Sequence, residues 1–289
     1  MVLWRIENTE LLFSTLHIIG NGFDLAHHMP TKYICFKQWL IRIGRLDVIL
    51  ELEKAFPKNN GHDFMLWSDF EDALGEYDIK EVADWNWESL YLVENAISGV
   101  HFEDLNGSML LDVELINILS NAFTSWVKQI PIANVRAFNL SPDTVYLTFN
   151  YTDTLEVLYN IPENQVLHIH GRASKNEKLI FGHNKLIKLE DYWDNKLDVQ
   201  ENNNRMQHLI DMNNIRKPYE KVIERYSYFF DQLSTVKDVY INGHSCSEID
   251  YPYFHKIKLS VACNARWHFN PYDEETTVRV EKLKSILGL

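Results

Sequence analysis

Four polar clusters stand where apolar, β-branched runs end. Leu16-His17-Ile18-Ile19 breaks into Gly20-Asn21-Gly22-Phe23-Asp24, and Val145-Tyr146-Leu147-Thr148-Phe149 into Asn150-Tyr151-Thr152-Asp153. Val166-Leu167-His168-Ile169 ends in His170-Gly171, and Asp238-Val239-Tyr240-Ile241-Asn242 ends in Gly243-His244-Ser245. An asparagine amide both donates and accepts hydrogen bonds, which suits a ribose or an ordered water. The His170 imidazole can take a proton or polarise a hydroxyl near neutral pH, and Gly171 lets a ligand come close. Glycines at Gly20 and Gly22 let the chain turn tightly and let a pyrophosphate reach main-chain N–H groups. The third glycine of the dinucleotide fingerprint is missing, so the turn alone is a weak signal. Asp24 suits a ligand hydroxyl and a helix N-cap equally well.

Together these groups fit cleavage of the nicotinamide–ribose bond of NAD+. The base leaves as a neutral pyridine, so no strong general acid is needed. The site has mainly to stabilise an oxocarbenium-like ribose and place a water. Gly22→Val is expected to obstruct the pyrophosphate while leaving the protein folded.

Positioning such groups calls for an α/β sheet, because ligands of open parallel sheets sit beyond the carboxyl ends of the strands. Strands are expected near residues 15–19, 145–149, 165–169, 178–181, 238–242 and 265–269. Helical spacing marks Lys32–Ile43, Leu111–Trp126, Thr154–Tyr159, Tyr219–Leu233 and Glu274–Leu287. The alternation favours a Rossmann-like α/β fold, a largely parallel, doubly wound sheet. Residues from about 47 to 129 read as a large helical insertion within a single domain spanning residues 1–289. The polar stretch Lys188–Asn204 reads as a lid or exposed loop.

Composition narrows the function. A net charge of −13 argues against broad capture of nucleic acid, yet leaves room for a nucleotide held locally. No apolar run is long enough to span a bilayer and no secretory pattern opens the chain, so a cytoplasmic protein is expected. Cys35, Cys246 and Cys263 are odd in number and scattered, which suits a reducing compartment and excludes a four-cysteine zinc ribbon.

The chain closely resembles the AbiH family of bacteriophage abortive-infection proteins. The resemblance is carried by Ile19-Gly20-Asn21-Gly22-Phe23-Asp24-Leu25, Trp67-Ser68-Asp69-Phe70-Glu71, Phe149-Asn150-Tyr151-Thr152-Asp153-Thr154-Leu155-Glu156 and His168-Ile169-His170-Gly171. That family is itself similar to the sirtuin-like NAD-binding fold. The resemblance implies that Gly20, Asn21, Gly22, Phe23 and Asp24 match the sirtuin Gly-Ala-Gly-Ile-Ser turn. Pro30 falls where the Gly-Ile-Pro-Asp-Phe-Arg segment has its proline, and Thr31, Lys32 and Tyr33 replace the residues after it. Thr148-Phe149-Asn150-Tyr151-Thr152 looks like Thr-Gln-Asn-Ile-Asp, placing Asn150 on ribose and water, with Thr152 at the aspartate position and Asp153 adjacent. His170-Gly171 looks like the catalytic His-Gly, and Gly243-His244-Ser245 like the Gly-Thr-Ser on the adenosine side. Asn150, His170 and Asp153 are thus the expected catalytic residues. Glu71 in Trp67-Ser68-Asp69-Phe70-Glu71 is a candidate ribose contact or part of a packed, capped helix, and Asn270 joins the ligand set beyond the last strand. Trp85-Asn86-Trp87 reads as packing or a partner surface.

The implied function is phage defence by NAD+ hydrolysis, with NAD+ as substrate, no prosthetic group and no resident metal. A homo-oligomer or a phage-derived trigger fits the same picture. Rival readings remain open. One is a non-catalytic sensor of NAD or an ADP-ribose signal with a partner toxin. Another is a metal hydrolase, because His168 and His170 lie two apart on an expected strand and would face the same way, with His183, Asp153 or Asp24 completing the set. A toxin acting on nucleic acid suits the acidic balance poorly.

Overall fold

The computed structural model describes residues 13–49, 67, 70–74, 111–141, 144–186, 188, 199, 202, 203, 206, 210, 213, 214 and 216–289. The chain divides into two compact units. One comprises Met1–Lys32, Val127–Ile180 and Pro218–Leu289, the other Tyr33–Trp126 and Phe181–Lys217. The second takes in most of the expected insertion and also a later segment. No helix among the described residues is long and apolar enough to cross a membrane.

The first unit is built on five parallel strands: β1 (Thr15–Ile19), β2 (Val145–Thr148), β3 (Val166–His168), β4 (Asp238–Asn242) and β5 (Arg266–Asn270). Their order is β3-β2-β1-β4-β5. The chain therefore winds outward from β1 in one direction and then in the other, which puts the switch point of the winding between β1 and β4. Ile18 faces Leu147 on one neighbour and Ile241 on the other.

Side chains alternate across this sheet with the strand period of two. Leu16, Ile18, Val145, Leu147, Leu167, Val239 and Ile241 enter one apolar cluster, whereas Ile19, Tyr146 and Val166 enter another. Both faces are thus covered, which is why the strands read as nearly continuous apolar runs. The first cluster takes Val222 from a short helix (Tyr219–Arg225), and Phe229 and Phe230 from the next (Ser227–Asp231). Tyr253, Phe254 and Ile257 join from Tyr251–Ser260, and Val280, Leu283 and Leu287 from Glu274–Leu287. Burying each such side chain contributes about 1.5–3 kcal/mol, so this larger cluster dominates the unit's stability. The last helix starts where Asp273 accepts the Thr276 N–H at 2.7 Å and stops at Gly288, whose φ of 64° is left-handed.

The second unit contains helices Tyr33–Arg42, Phe70–Leu74 and most of Leu111–Val127. Phe36 is its hub, with ring centroids 5.5 Å from Phe123 and 5.2 Å from Trp126, while Trp67 stacks on Phe70 at 5.5 Å. Trp67 and Phe70 are therefore core residues here. Ser68, Asp69 and Trp85-Asn86-Trp87 lie outside the described residues, as does most of Lys188–Asn204.

Two expected elements differ. Residues 178–181 form no strand: the segment meets the sheet edge by one bond, Ile180 N–H to His170 O at 2.8 Å, after Gly171 has turned the chain away. The helix expected over Tyr219–Leu233 breaks at Tyr226 into two pieces followed by a tighter turn at Gln232–Thr235.

Candidate functional site

The loop leaving β2 carries most of the chemistry. Phe149 extends the strand by donating to Ile19 O at 2.9 Å, and the Asn150 N–H then bonds the Thr148 hydroxyl at 3.1 Å. This turns the Asn150 side chain across β1, where Nδ2 donates to Gly20 O at 3.1 Å. Beyond it, the Thr152 hydroxyl donates to Asp24 Oδ2 at 2.6 Å and the Thr154 hydroxyl to Asp24 Oδ1 at 2.7 Å. Asp24 is 1% exposed. Burial raises its pKa above the ordinary carboxylate value, against the hydroxyl bonds of Thr152 and Thr154, the nearby His27 and hydrogen bonding from Asn150. Asp24 caps no helix: Gly20 is the N-cap of Asn21–Ala26, and the carboxylate instead fastens the β2 loop to that helix.

The glycine turn is engaged with β4. Gly20 N–H donates to Asn242 O at 3.1 Å, Gly22 N–H to Gly243 O at 2.7 Å, and Phe23 N–H to Gly20 O at 2.9 Å. A Cβ on Gly20 would lie 2.5 Å from His244 Cα, and one on Gly22 2.8 Å from Gly243 Cα. The expectation that Gly22→Val spares the fold is therefore corrected: the space a pyrophosphate was expected to fill beside this glycine is taken by the β4 loop. The Phe23 side chain is core, stacked on Phe138 at 5.1 Å. Asn21 Nδ2 donates to Thr31 O at 3.0 Å and secures the loop through the exposed Pro30. The buried Thr31 hydroxyl has no hydrogen-bond partner among the described residues.

A second group gathers around Phe149, whose ring meets His170 edge-on at 5.1 Å and His244 at 4.4 Å. Asp250 lies between the two histidines, with Oδ1 3.9 Å from His170 Nε2 and Oδ2 3.4 Å from His244 Nε2. Cys246 N–H donates to His244 Nδ1 at 2.9 Å. Burial, then the Asp250 charge, pushes the Cys246 thiol up to about 12, which makes it a poor nucleophile. The Asn150 and His170 groups thus have separate immediate neighbours, joined where Gly20 packs on His244. Ser245 follows on the same loop and is half-buried. Gly171 has a φ of 89°, and a Cβ there would lie 2.8 Å from Lys178 O, so its close approach is to backbone. Asn270, at the exposed end of β5, donates to Asn242 Oδ1 at 3.2 Å.

Asp153 belongs to a third cluster. Arg172 Nε donates to Asp153 Oδ1 at 2.6 Å and its Nη1 reaches Glu163 at 2.9 Å and Glu156 at 3.6 Å. Asp153, Glu156 and His168 each offer a ligand atom within 4.8 Å of one another. His168, however, faces an acceptor at both nitrogens, Asn150 O at 3.0 Å and Glu156 Oε1 at 2.8 Å. Arg172 already supplies a cation to these carboxylates, and the other carboxylate oxygen of Glu156 is buried without a hydrogen-bond partner among the described residues. The pairing of His168 with His170 on one metal is corrected: β3 ends at His168, the chain turns, and the alternation that would align them is broken. Glu71 lies in the second unit, where its carboxylate meets the Lys217 ammonium at 2.9 Å.

Sequence reasoning missed Asp250, Thr154 and Arg172. Asp250 precedes Tyr251-Pro252, a pattern that signals a helix start and hides any other use. No curated protein and no solved structure matches the chain. One family model, bacteriophage abortive infection AbiH, matches residues 16–271, a span that includes β1 from Leu16, all of β2 to β5 and all three clusters. The chain belongs to the bacteriophage abortive infection AbiH family.

Proposed function

We propose that this chain is an abortive-infection effector that cleaves the nicotinamide–ribose bond of NAD+, depleting the cell of the dinucleotide. The observation that carries the reading is that Asn150, His170 and His244 all stand just beyond the carboxyl ends of β2, β3 and β4, Asn150 bonded to Gly20 O, both histidine rings against Phe149, and Gly20 packed on His244 between the two groups. The Asn150 NH2 group is directed at Gly20 O and Asp24, so its carbonyl oxygen is the end left to accept from a ribose hydroxyl or a water. Asp24, held by two threonines, keeps that amide in one orientation. His170 engages a ribose hydroxyl as the oxocarbenium character develops, in a largely apolar, water-poor wall where such contacts are strong. The departing nicotinamide needs no proton, which suits a site whose Asp153 is committed to Arg172. With the Gly20 and Gly22 amides engaged by the β4 loop, side chains such as Asn21 and Ser245 have a larger part in holding the phosphates.

The test is incubation of the purified chain with NAD+ and detection of nicotinamide and ADP-ribose. Asn150→Ala and His170→Ala are expected to keep NAD+ affinity within about threefold while kcat falls about a hundredfold or more. Both variants, soluble and abundant, are expected to lose phage protection in cells. Binding without nicotinamide release in the wild type assigns a sensor that works with a partner toxin. Normal protection by both variants removes NAD+ cleavage at this site as the defence mechanism.

A further inference from the structure

We infer that Asp250 is the positioning residue of this site, its two carboxylate oxygens orienting His170 and His244 and fixing which ring nitrogen of each carries the proton. The tautomers follow from the contacts. The Cys246 N–H donates to His244 Nδ1 at 2.9 Å, so that nitrogen is an acceptor and the ring proton sits on Nε2. Nε2 faces Asp250 Oδ2 at 3.4 Å, and an ionised carboxylate only accepts. The other oxygen, Oδ1, lies 3.9 Å from His170 Nε2, a buried nitrogen that makes no hydrogen bond among the described residues, and the nearby carboxylate favours the N–H on Nε2 and leaves Nδ1 as the basic end. That separation is longer than a hydrogen bond, as is common before substrate tightens a site.

The position of Asp250 in the fold explains why its carboxylate serves the histidines. It is the N-cap residue of the helix Tyr251–Ser260, yet its side chain makes no capping bond. A capping aspartate accepts from the second or third helical N–H, and Pro252 stands at the second position with no N–H to give. The helix start still favours the negative charge through its dipole. Phe149 and Tyr253 confine the His170 ring, with centroids 5.1 and 5.4 Å away, so the carboxylate selects among few orientations. Cys246 holds its loop with a left-handed φ of 53°, which brings its N–H onto His244.

The catalytic consequence rests on the NAD+-cleavage reading; the tautomer assignment does not. The experiment is ¹⁵N-histidine NMR on the full-length chain, with signals assigned by their loss in His170→Gln and His244→Gln, alongside NAD+ turnover. In the wild type both rings are expected as Nε2–H tautomers. Asp250→Ala is expected to move His170 to a mixed tautomer and to lower kcat about ten- to a hundredfold with KM changed less than about threefold. Asp250→Asn keeps the shape but can present N–H to a ring, and is expected to impose the opposite tautomer on one histidine with a kcat loss at least as large. Should Asp250→Ala not fold, the isosteric Asn variant decides alone. Unchanged tautomers in the folded variant overturn the inference whatever the turnover. Tautomers that shift as expected in a chain that never releases nicotinamide overturn the NAD+ reading and keep the positioning role.

Discussion

Asp24 shows how one buried side chain can tie a loop to a helix. A carboxylate 1% exposed is held by two threonine hydroxyls at 2.6 and 2.7 Å, with no lysine or arginine bonded to it among the described residues. Neutral donors stabilise its charge less than the water it gave up, so burial wins and the group holds its proton to higher pH than in the unfolded chain. The sign of the linkage follows. Above the ordinary value of 3.8 the folded chain binds more protons here than the unfolded one. Stability contributed by this group is therefore complete below that value and is lost as pH rises through the folded value. Asp24→Asn has no such titration. Urea unfolding of both proteins across the acid range is expected to show the wild type losing ground to the variant as pH rises through that window. A difference independent of pH would mean that Asp24 titrates in the folded chain as it does in the unfolded one.

At the scale of elements, the turn after β1 and the turn after β4 form one interlocked piece. Gly243 has a φ of 65°, and a Cβ there would lie 2.2 Å from Phe23 N, inside backbone that cannot give way cheaply. Gly243→Ala thus adds left-handed strain to overpacking, and a loss of about 3 kcal/mol or more is expected in urea unfolding. A variant as stable as the wild type would show that the two turns can separate. This interlock was hidden in the sequence. Gly20-Asn21-Gly22 signals only that something approaches the backbone, and pattern cannot say whether that is a phosphate or another loop. The strands were legible because parallel strands buried on both faces read as unbroken apolar runs, as in Leu16–Ile19 and Val145–Phe149. Lys178–Phe181 carries the same kind of run and forms no strand, since Gly171 turns it away from the edge. Asn150 and His170 were legible as strand-end polar residues. Asp250 was not, because a residue before Tyr251-Pro252 reads as a helix N-cap, and its place beside His170 and His244 is visible only once the helix start is in place.

For the whole molecule, the charge of −13 separates the proposed substrate from a polymer. NAD+ carries two phosphate charges against one pyridinium, a net of about one negative charge, so long-range repulsion from an acidic protein is weak and salt screens it. Raising salt from about 50 to about 200 mM is expected to leave kcat/KM for NAD+ unchanged or to raise it by less than about threefold. A nucleic acid held through six or more phosphate contacts would lose about a thousandfold in affinity over the same range, because each neutralised phosphate releases counterions. Of the two salt dependences, only the polymer's therefore falls steeply. Steady-state assays of nicotinamide release across that range measure the first, and fluorescence titration with a labelled oligonucleotide measures the second. A steep fall in the oligonucleotide titration, starting from tight binding at low salt, would reveal a basic surface formed in the fold and move the target of this defence protein from a dinucleotide to a polymer.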